Sequence, residues 1–427
     1  MVHAFSSVIC RPSLYGRHGS ATAGPLCFVL EIQRFSVSSQ LLSAIRQPAR
    51  EAPESGIVEV VNVARGRSDL IPLWVGEGDL PTPTFICAAA EAALRAGETF
   101  YTYQRGLPEL RQALAAYHGR VYERDFDPER FFVTGSGMHA IQIAVALVAG
   151  AGDEVLVPMP SWPNIAAAVG INGGRPVSVP LRFGASGWTL DVEQLAAAIT
   201  PRTRAIFLNS PSNPTGWVAD HATLASILAL ARKHGLWIIS DEVYARFYYG
   251  EAGRAPSFHD LASDQDRIIY VNTFSKNWAM TGWRIGWLSA PAELGQVIEN
   301  LIQYSNSGVA TFAQRAALAA LSAEGDAFLA EQIARADAGR QLVRDAVAAL
   351  PGSRFAEPEG AFYLFFGLDG HPDSRRLAMD LVRDTGLGLA PGSAFGPAGE
   401  GFLRLCYARR EAHLREGTRR LAEWLSH

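Results

Sequence analysis

Cysteine is scarce in this chain. Four residues in 427 (Cys10, Cys27, Cys87 and Cys406) are scattered without a CxxC pair, which argues against a zinc site and for reduced thiols in a cytosolic setting. Strong charge is missing as well. The formal net charge is -4 and charged residues make up 19%, so nothing points to nucleic acid or an anionic membrane as partner. No uninterrupted apolar run reaches the roughly 18 residues of a membrane span. Internal repeats and low-complexity tracts are absent. What remains is 48% apolar residues, ordinary for a soluble globular protein. The length exceeds what one hydrophobic core serves, so one large and one smaller domain are expected.

The first fifty residues differ from the rest, with five arginines, eight serines and a single acidic residue, Glu31. An organelle transit peptide has such a composition, but Pro12, Gly16, Gly19, Gly24 and Pro25 interrupt any helix. The run LCFVL (Leu26 to Leu30) is too short for a secretory signal and ends in Glu31. Residues 1–54 are therefore expected to be a poorly ordered extension without chemistry.

From Ser55 the pattern is globular. An apolar segment (Ile57 to Ala64) leads to the strand-like IPLWV and a turn-rich GEGDLPTP. Helices are expected from Cys87 to Arg95, from Pro108, after the glycine turn at Gly135, from Asp191 and from Asp220. Between them lie FFVT, DEVLVP, AIFLN, LWIIS and RIIYVN, short apolar runs that suit buried strands. Strands alternating with helices imply βαβ units and a mainly parallel sheet. The expected class is α/β: residues 81–320 form a large domain with that sheet flanked by helices, and 321–427 a smaller α/β domain. Residues 55–80 are expected to pack with the smaller one. A long helical region is expected from about Leu301 to Leu350.

The chemistry gathers after the strands, where open α/β sheets collect ligands. TFSKNWAMTGWRIGW follows RIIYVN and carries Lys276, with Arg284 eight residues on. A lysine loses its charge readily when buried and then forms imines with carbonyls; an arginine suits phosphate. SPSNPTG follows AIFLN. It reads as a turn, or as a place for the amide of Asn213. DEVY follows LWIIS: Asp241 is either a helix N-cap or a carboxylate beneath a ligand, and Tyr244 either core or site. A buried carboxylate needs a cationic partner, which a protonated aromatic nitrogen would supply. TGSGM (Thr134 to Met138) suits tight packing or a phosphate equally. Trp162 caps a planar ring or fills core. Arg404, inside the apolar FLRLCYA, needs an anion: a structural salt-bridge partner or a substrate carboxylate.

In order, SNPTG, DEVY, SKNWAMTGWRIG and RLCYA resemble the class I/II aminotransferases of the aspartate and aromatic kind, fold-type I enzymes that use pyridoxal 5'-phosphate. The resemblance runs from about Ser55 to the C-terminus, and S-K-x(7)-R-x-G is its most specific piece. It implies that Lys276 forms the Schiff base with the cofactor and then moves the substrate proton. It implies that Asp241 pairs with the ring nitrogen, that Asn213 and Tyr244 bond the phenolic oxygen, and that Trp162 stacks on the ring. Arg284, Thr273, Ser136, Gly137 and Met138 would hold the phosphate. Tyr101 would reach it from a partner subunit, which implies a homodimer with shared sites. Arg404, assisted by the Gly76 backbone, would clamp the substrate α-carboxylate, with Asn213 and Trp162 beside it.

The reaction so implied moves an amino group from an L-amino acid to a 2-oxo acid such as 2-oxoglutarate, by ping-pong kinetics, in the cytoplasm. A β-lyase, decarboxylase or cyclopropane-forming synthase would share nearly all of these residues. A ligand-sensing regulator would need a winged-helix domain that the first fifty residues cannot form. Three departures bear on substrate. Relatives resembling the vertebrate aspartate enzyme take an arginine from the partner, but Pro291 to Gln314 contains no arginine or lysine. Met138 stands where some bacterial aspartate users have lysine, and GEGDL replaces GEPDF. These argue against a rigid dicarboxylate site, with Arg105 or a mobile arginine as its remaining source.

Overall fold

The structure is a computed structural model that describes residues 39–426. Of the stretch expected to be an extension, the described part carries two short helices, Ser39–Ala44 and Gln47–Arg50. Cys10, Cys27 and the LCFVL run lie outside the described residues. From Gln47 onward the chain forms one unit built on two main sheets.

The larger sheet has seven strands in the order Phe131–Thr134, Gly286–Ser289, Ile268–Thr273, Trp237–Asp241, Thr203–Asn209, Glu154–Met159, Arg175–Pro180. Gly286–Ser289 runs antiparallel to both neighbours, and the remaining pairs are parallel. Apart from the partly exposed edge strand Arg175–Pro180, the strands read as apolar runs because both faces are covered. Val155, Val157, Ile239, Ile269 and Val271 face one core, with helices Gly137–Val148, Asn164–Ile171 and Gly295–Gln303. Their neighbours Leu156, Ile238, Ile268 and Tyr270 face the other, with helix His221–His234. This two-residue alternation is the pleat itself.

Local signals start the helices. Asp191 accepts from the backbone of Glu193 and Gln194, and Asp220 from Thr223, as N-caps do. The region from Leu301 to Leu350 is less continuous than expected: Gly295–Gln303, Thr311–Ala320 and Ala323–Ala348 are separate helices. Of IPLWV, two residues form a strand, Ile71–Pro72, paired in parallel with Leu387–Gly388.

The second sheet is antiparallel, in the order Ser353–Phe355, Tyr363–Leu368, Phe402–Cys406, Ala390–Pro391. The apolar segment near Ile57 is a helix, Gly56–Val63, packed on helix Ser374–Thr385 and beside this second sheet. Residues 55–80 thus run along the C-terminal half of the chain.

Register decides where the site can be. Asn209 pairs with Asp241, Asp241 with Val271, and Gly286 with both Thr273 and Thr134. Five strand ends therefore open onto one edge of the sheet, and they are the ends that precede or carry the motifs.

Candidate active site

A cleft of about 370 Å³ lies along that edge. Eleven of the thirteen residues expected at the site line it: Gly76, Gly137, Met138, Trp162, Asn213, Asp241, Tyr244, Thr273, Lys276, Arg284 and Arg404.

Lys276 sits in a one-turn helix, Phe274–Asn277, that Thr273 caps through a bond from the Ser275 backbone N–H. Phe274 and Trp278, both fully buried, hold that turn against the core, so the lysine stem starts from a fixed base. Its Nζ donates to the Gly76 carbonyl at 2.7 Å. Burial lowers its pKa from 10.5 to about 8, with Arg404 and Arg284 acting in the same sense and Cys406 and Glu77 opposing. An ammonium kept from water loses its proton more easily, so a neutral amine is available near physiological pH.

Asp241 ends the strand Trp237–Asp241 and is 3% exposed. It caps no helix: it accepts from the Val243 backbone N–H at 3.3 Å, and no ion pair reaches it among the described residues. Burial raises its carboxyl from 3.8 to about 7, and neighbouring Glu242 adds to the rise. A carboxylate so placed has no ion-pair partner among the described residues and would suit a cationic one.

Tyr244 and Tyr363 share a hydrogen bond of 2.7 Å between their hydroxyls, and burial pushes the Tyr244 phenol up. Asn213 donates its backbone N–H to Asn209 Oδ1 at 2.8 Å, which sets the loop after Thr203–Asn209. Arg404, 2% exposed, is bonded to no carboxylate among the described residues. Its Nη1 donates to Asn213 Oδ1 at 2.8 Å and its Nη2 to the Trp74 carbonyl. Its guanidinium lies 4.5 Å from the Tyr363 ring centroid and 4.8 Å from that of Phe395. Its Nε has no partner among the described residues. Neutral partners leave the charge uncompensated, so among the described residues no structural salt bridge holds this arginine, and its free capacity suits a carboxylate.

At the other end of the cleft the glycine turn opens helix Gly137–Val148. A Cβ on Gly286 would meet Gly137 N and the Asn272 carbonyl at 2.8 Å each. Only glycine lets the helix start sit this close to the strands, which explains the last position of S-K-x(7)-R-x-G. The helix N-terminus, Thr273 and the exposed Arg284 thus line one end. Backbone N–H groups, a hydroxyl and a guanidinium suit a phosphate. Partly buried Trp162 lines the wall between.

Two expected residues lie apart from the cleft lining. Ser136 uses its hydroxyl to cap the helix, accepting from the His139 N–H at 3.0 Å. Tyr101 is 95% exposed and outside this chain's own cleft. Other lining residues carry no expectation from the sequence: Asn209, Ser275, Tyr363 and Trp74. Ser275 directly precedes Lys276, and Asn209 ends the AIFLN strand, so both were within reach of the strand-end argument. Trp74 contributes a carbonyl, which no side-chain pattern announces.

The family model described as "Aminotransferase class I and II" matches residues 68–421. A probable aspartate/prephenate aminotransferase of Aquifex aeolicus is 37% identical over 366 residues, 84% of this chain and 91% of that protein. A solved single mutant of Thermus thermophilus aspartate aminotransferase superposes with a TM-score of 0.83 at 33% identity, covering 89% of this chain and 99% of that one. An aromatic aminotransferase from Pyrococcus horikoshii gives 0.80 at 34% identity, over 86% of this chain and 98% of that one.

Proposed function

We propose roles for the cleft residues from the premise that this chain belongs to the class I and II aminotransferases, and so is an aminotransferase that uses pyridoxal 5'-phosphate. The reaction carries the amino group of an L-amino acid to a 2-oxo acid, 2-oxoglutarate among the acceptors, in two half-reactions with ping-pong kinetics. The cofactor supplies an aldehyde that exchanges amines and a ring that accepts electrons as the substrate α-proton leaves.

The residues present fit that group. Asp241 holds a proton at the ring nitrogen. An ion pair at ordinary hydrogen-bond distance and an effective dielectric of about 20 would be worth roughly 5 kcal/mol before desolvation, several pKa units. Asn213, whose Oδ1 is taken by Arg404, turns its amide N–H to the phenolic oxygen, where Tyr244 also donates. Trp162 covers a ring face. Arg284, Thr273, Ser136 and the backbone of Gly137 and Met138 hold the phosphate. Tyr101 reaches the phosphate of a second copy, so the enzyme works as a homodimer with shared sites. Its setting is the cytoplasm, consistent with the free thiols of Cys87 and Cys406.

Arg404 fixes the substrate α-carboxylate, with Gly76 beside it. Lys276 takes the α-proton and returns it one carbon away, as a base near its working pH should. The observation that carries this reading is the meeting of a depressed lysine, a raised aspartate and an unpaired buried arginine in one cleft.

The sequence contains two lysines, Lys233 and Lys276, and Lys233 is exposed on helix His221–His234. Borohydride reduction followed by peptide mapping therefore has a two-way outcome. The label is expected on Lys276, and Lys276→Ala is expected to abolish turnover. Recovery on Lys233, or full turnover in the variant, contradicts the assignment.

A further inference from the structure

Three cationic side chains line the cleft among the described residues: Lys276, Arg284 and Arg404. Under the aminotransferase reading, on which this inference rests, each already has a task, and none is left for a second substrate carboxylate. Beside its polar partners, Arg404 shares the cleft lining with the apolar side chains of Ile57, Trp74, Val75 and Phe395. Phe395 lies 4.8 Å from its guanidinium, and Trp74 accepts from it through its carbonyl. A Cβ on Gly56 would stand 3.1 Å from that of Ala394, so the start of helix Gly56–Val63 packs on the turn Gly392–Phe395, and Ile57 and Phe395 both line the cleft.

The arginines that flank the exposed Tyr101 segment are also engaged. Arg105 is held by Glu299 at 2.7 Å and Glu129 at 3.0 Å. Arg315 is held by Glu98 at 2.9 Å and Glu109 at 3.4 Å. Freeing Arg105 would take the partner from Glu299, while Glu129 keeps Arg111, and freeing Arg315 would take it from Glu98 and Glu109. A substrate carboxylate pressed against Ile57, Trp74 and Phe395 would lose water without gaining a partner, whereas an apolar side chain gains by leaving water there.

We infer that the cleft beside Arg404 selects L-amino acids with a neutral apolar side chain, aliphatic or aromatic, over dicarboxylates, with Ile57, Trp74 and Phe395 as specificity-determining residues.

The test uses the holoenzyme with phenylalanine, leucine and aspartate as donors. In parallel, 3-phenylpropanoate and butanedioate are titrated as non-reacting ligands by calorimetry. Expected are a kcat/KM for phenylalanine or leucine at least tenfold above aspartate, and binding of 3-phenylpropanoate at least tenfold tighter than butanedioate. Ile57→Arg should lower that preference at least tenfold, chiefly through KM. If that variant does not fold, Ile57→Ala should raise KM for leucine severalfold, the scale of a few lost methyl contacts. Equal or better use of aspartate, or tighter binding of butanedioate, overturns the inference while leaving the aminotransferase reading intact. Failure of every donor to react sinks that reading instead, and the two ligands still rank the pocket.

Discussion

Arg404 and Asn213 stand 191 residues apart in sequence and 2.8 Å apart in space, Nη1 to Oδ1. The contact joins strand Phe402–Cys406 of the second sheet to the loop after Thr203–Asn209 of the first. It makes one amide serve two ends of the site: its oxygen orients the arginine, and its nitrogen remains to donate.

Asn213→Asp tests this relationship. A carboxylate at that position would pair with the guanidinium and compete with the substrate carboxylate for it. KM for the amino donor is expected to rise tenfold or more, with a smaller change in kcat. An unchanged KM would mean that Arg404 does not meet the substrate.

Arg404→Lys keeps the charge and loses the planar fork. The loss of a desolvated charge-assisted pair costs about 3 kcal/mol, on the order of a hundredfold in kcat/KM. Steady-state kinetics with the preferred donor measures it, with thermal unfolding as the control for folding, since the residue is buried.

Glu242 offers a pH-dependent prediction away from the chemistry. It is 3% exposed and accepts from Tyr122 at 3.0 Å, Ser240 at 3.0 Å and Ser257 at 2.8 Å. Burial nevertheless raises its carboxyl from 4.5 to about 7, against the pull of those hydroxyls. A carboxyl raised in the folded state costs nothing below its unfolded pKa, where both states are protonated, and costs most above its folded pKa, where both are charged. The penalty therefore grows between about pH 4.5 and pH 7 and is roughly 3 kcal/mol beyond. Glu242→Gln removes the charge, so the variant should be the more stable at pH 8, with most of the gain gone at pH 5. Urea unfolding of both proteins at the two pH values measures this. Asp241 titrates in the same sense, and because Glu242 adds to its rise the substitution eases Asp241 as well, which adds to the gain at pH 8. A variant less stable at pH 8 would show that the three hydroxyl bonds to the carboxylate outweigh its burial.

Much of this architecture was legible because its central strands are buried on both faces and its motifs begin where those strands end. Asn213, Asp241 and Lys276 each follow an apolar run, and register alone brings them to one edge. Arg404 was legible for the opposite reason: a charge inside an apolar strand has to be explained. Other parts were hidden. The apolar pattern of Ile57 to Ala64 fits strand or helix alike, and only packing on helix Ser374–Thr385 makes it a helix. The Trp74 carbonyl and the Tyr244–Tyr363 bond depend on how the two sheets face each other, which local periodicity does not encode. The engagement of Arg105 by Glu299, 194 residues away, is likewise a tertiary fact.

Tyr101 supplies the last prediction. A tyrosine 95% exposed next to Phe100 and Tyr103, themselves 84% and 63% exposed, is an unusual surface for a protein working alone. If Tyr101 donates to the phosphate in a second copy, Tyr101→Ala should weaken cofactor binding about tenfold, the worth of one hydrogen bond to a charged group. It should also be rescued in trans. In a mixed dimer of Tyr101→Ala and Lys276→Ala chains, one site combines Lys276 from the first chain with Tyr101 from the second and is intact, while the other site lacks both. Co-refolding the two variants at low cofactor should therefore restore activity that neither shows alone, up to about half of the intact dimer's for each mixed dimer formed. Sedimentation of the unmodified protein should report a dimer under the same conditions. Absence of rescue, with mixed dimers demonstrated by tagged pull-down, would place Tyr101 outside the shared site.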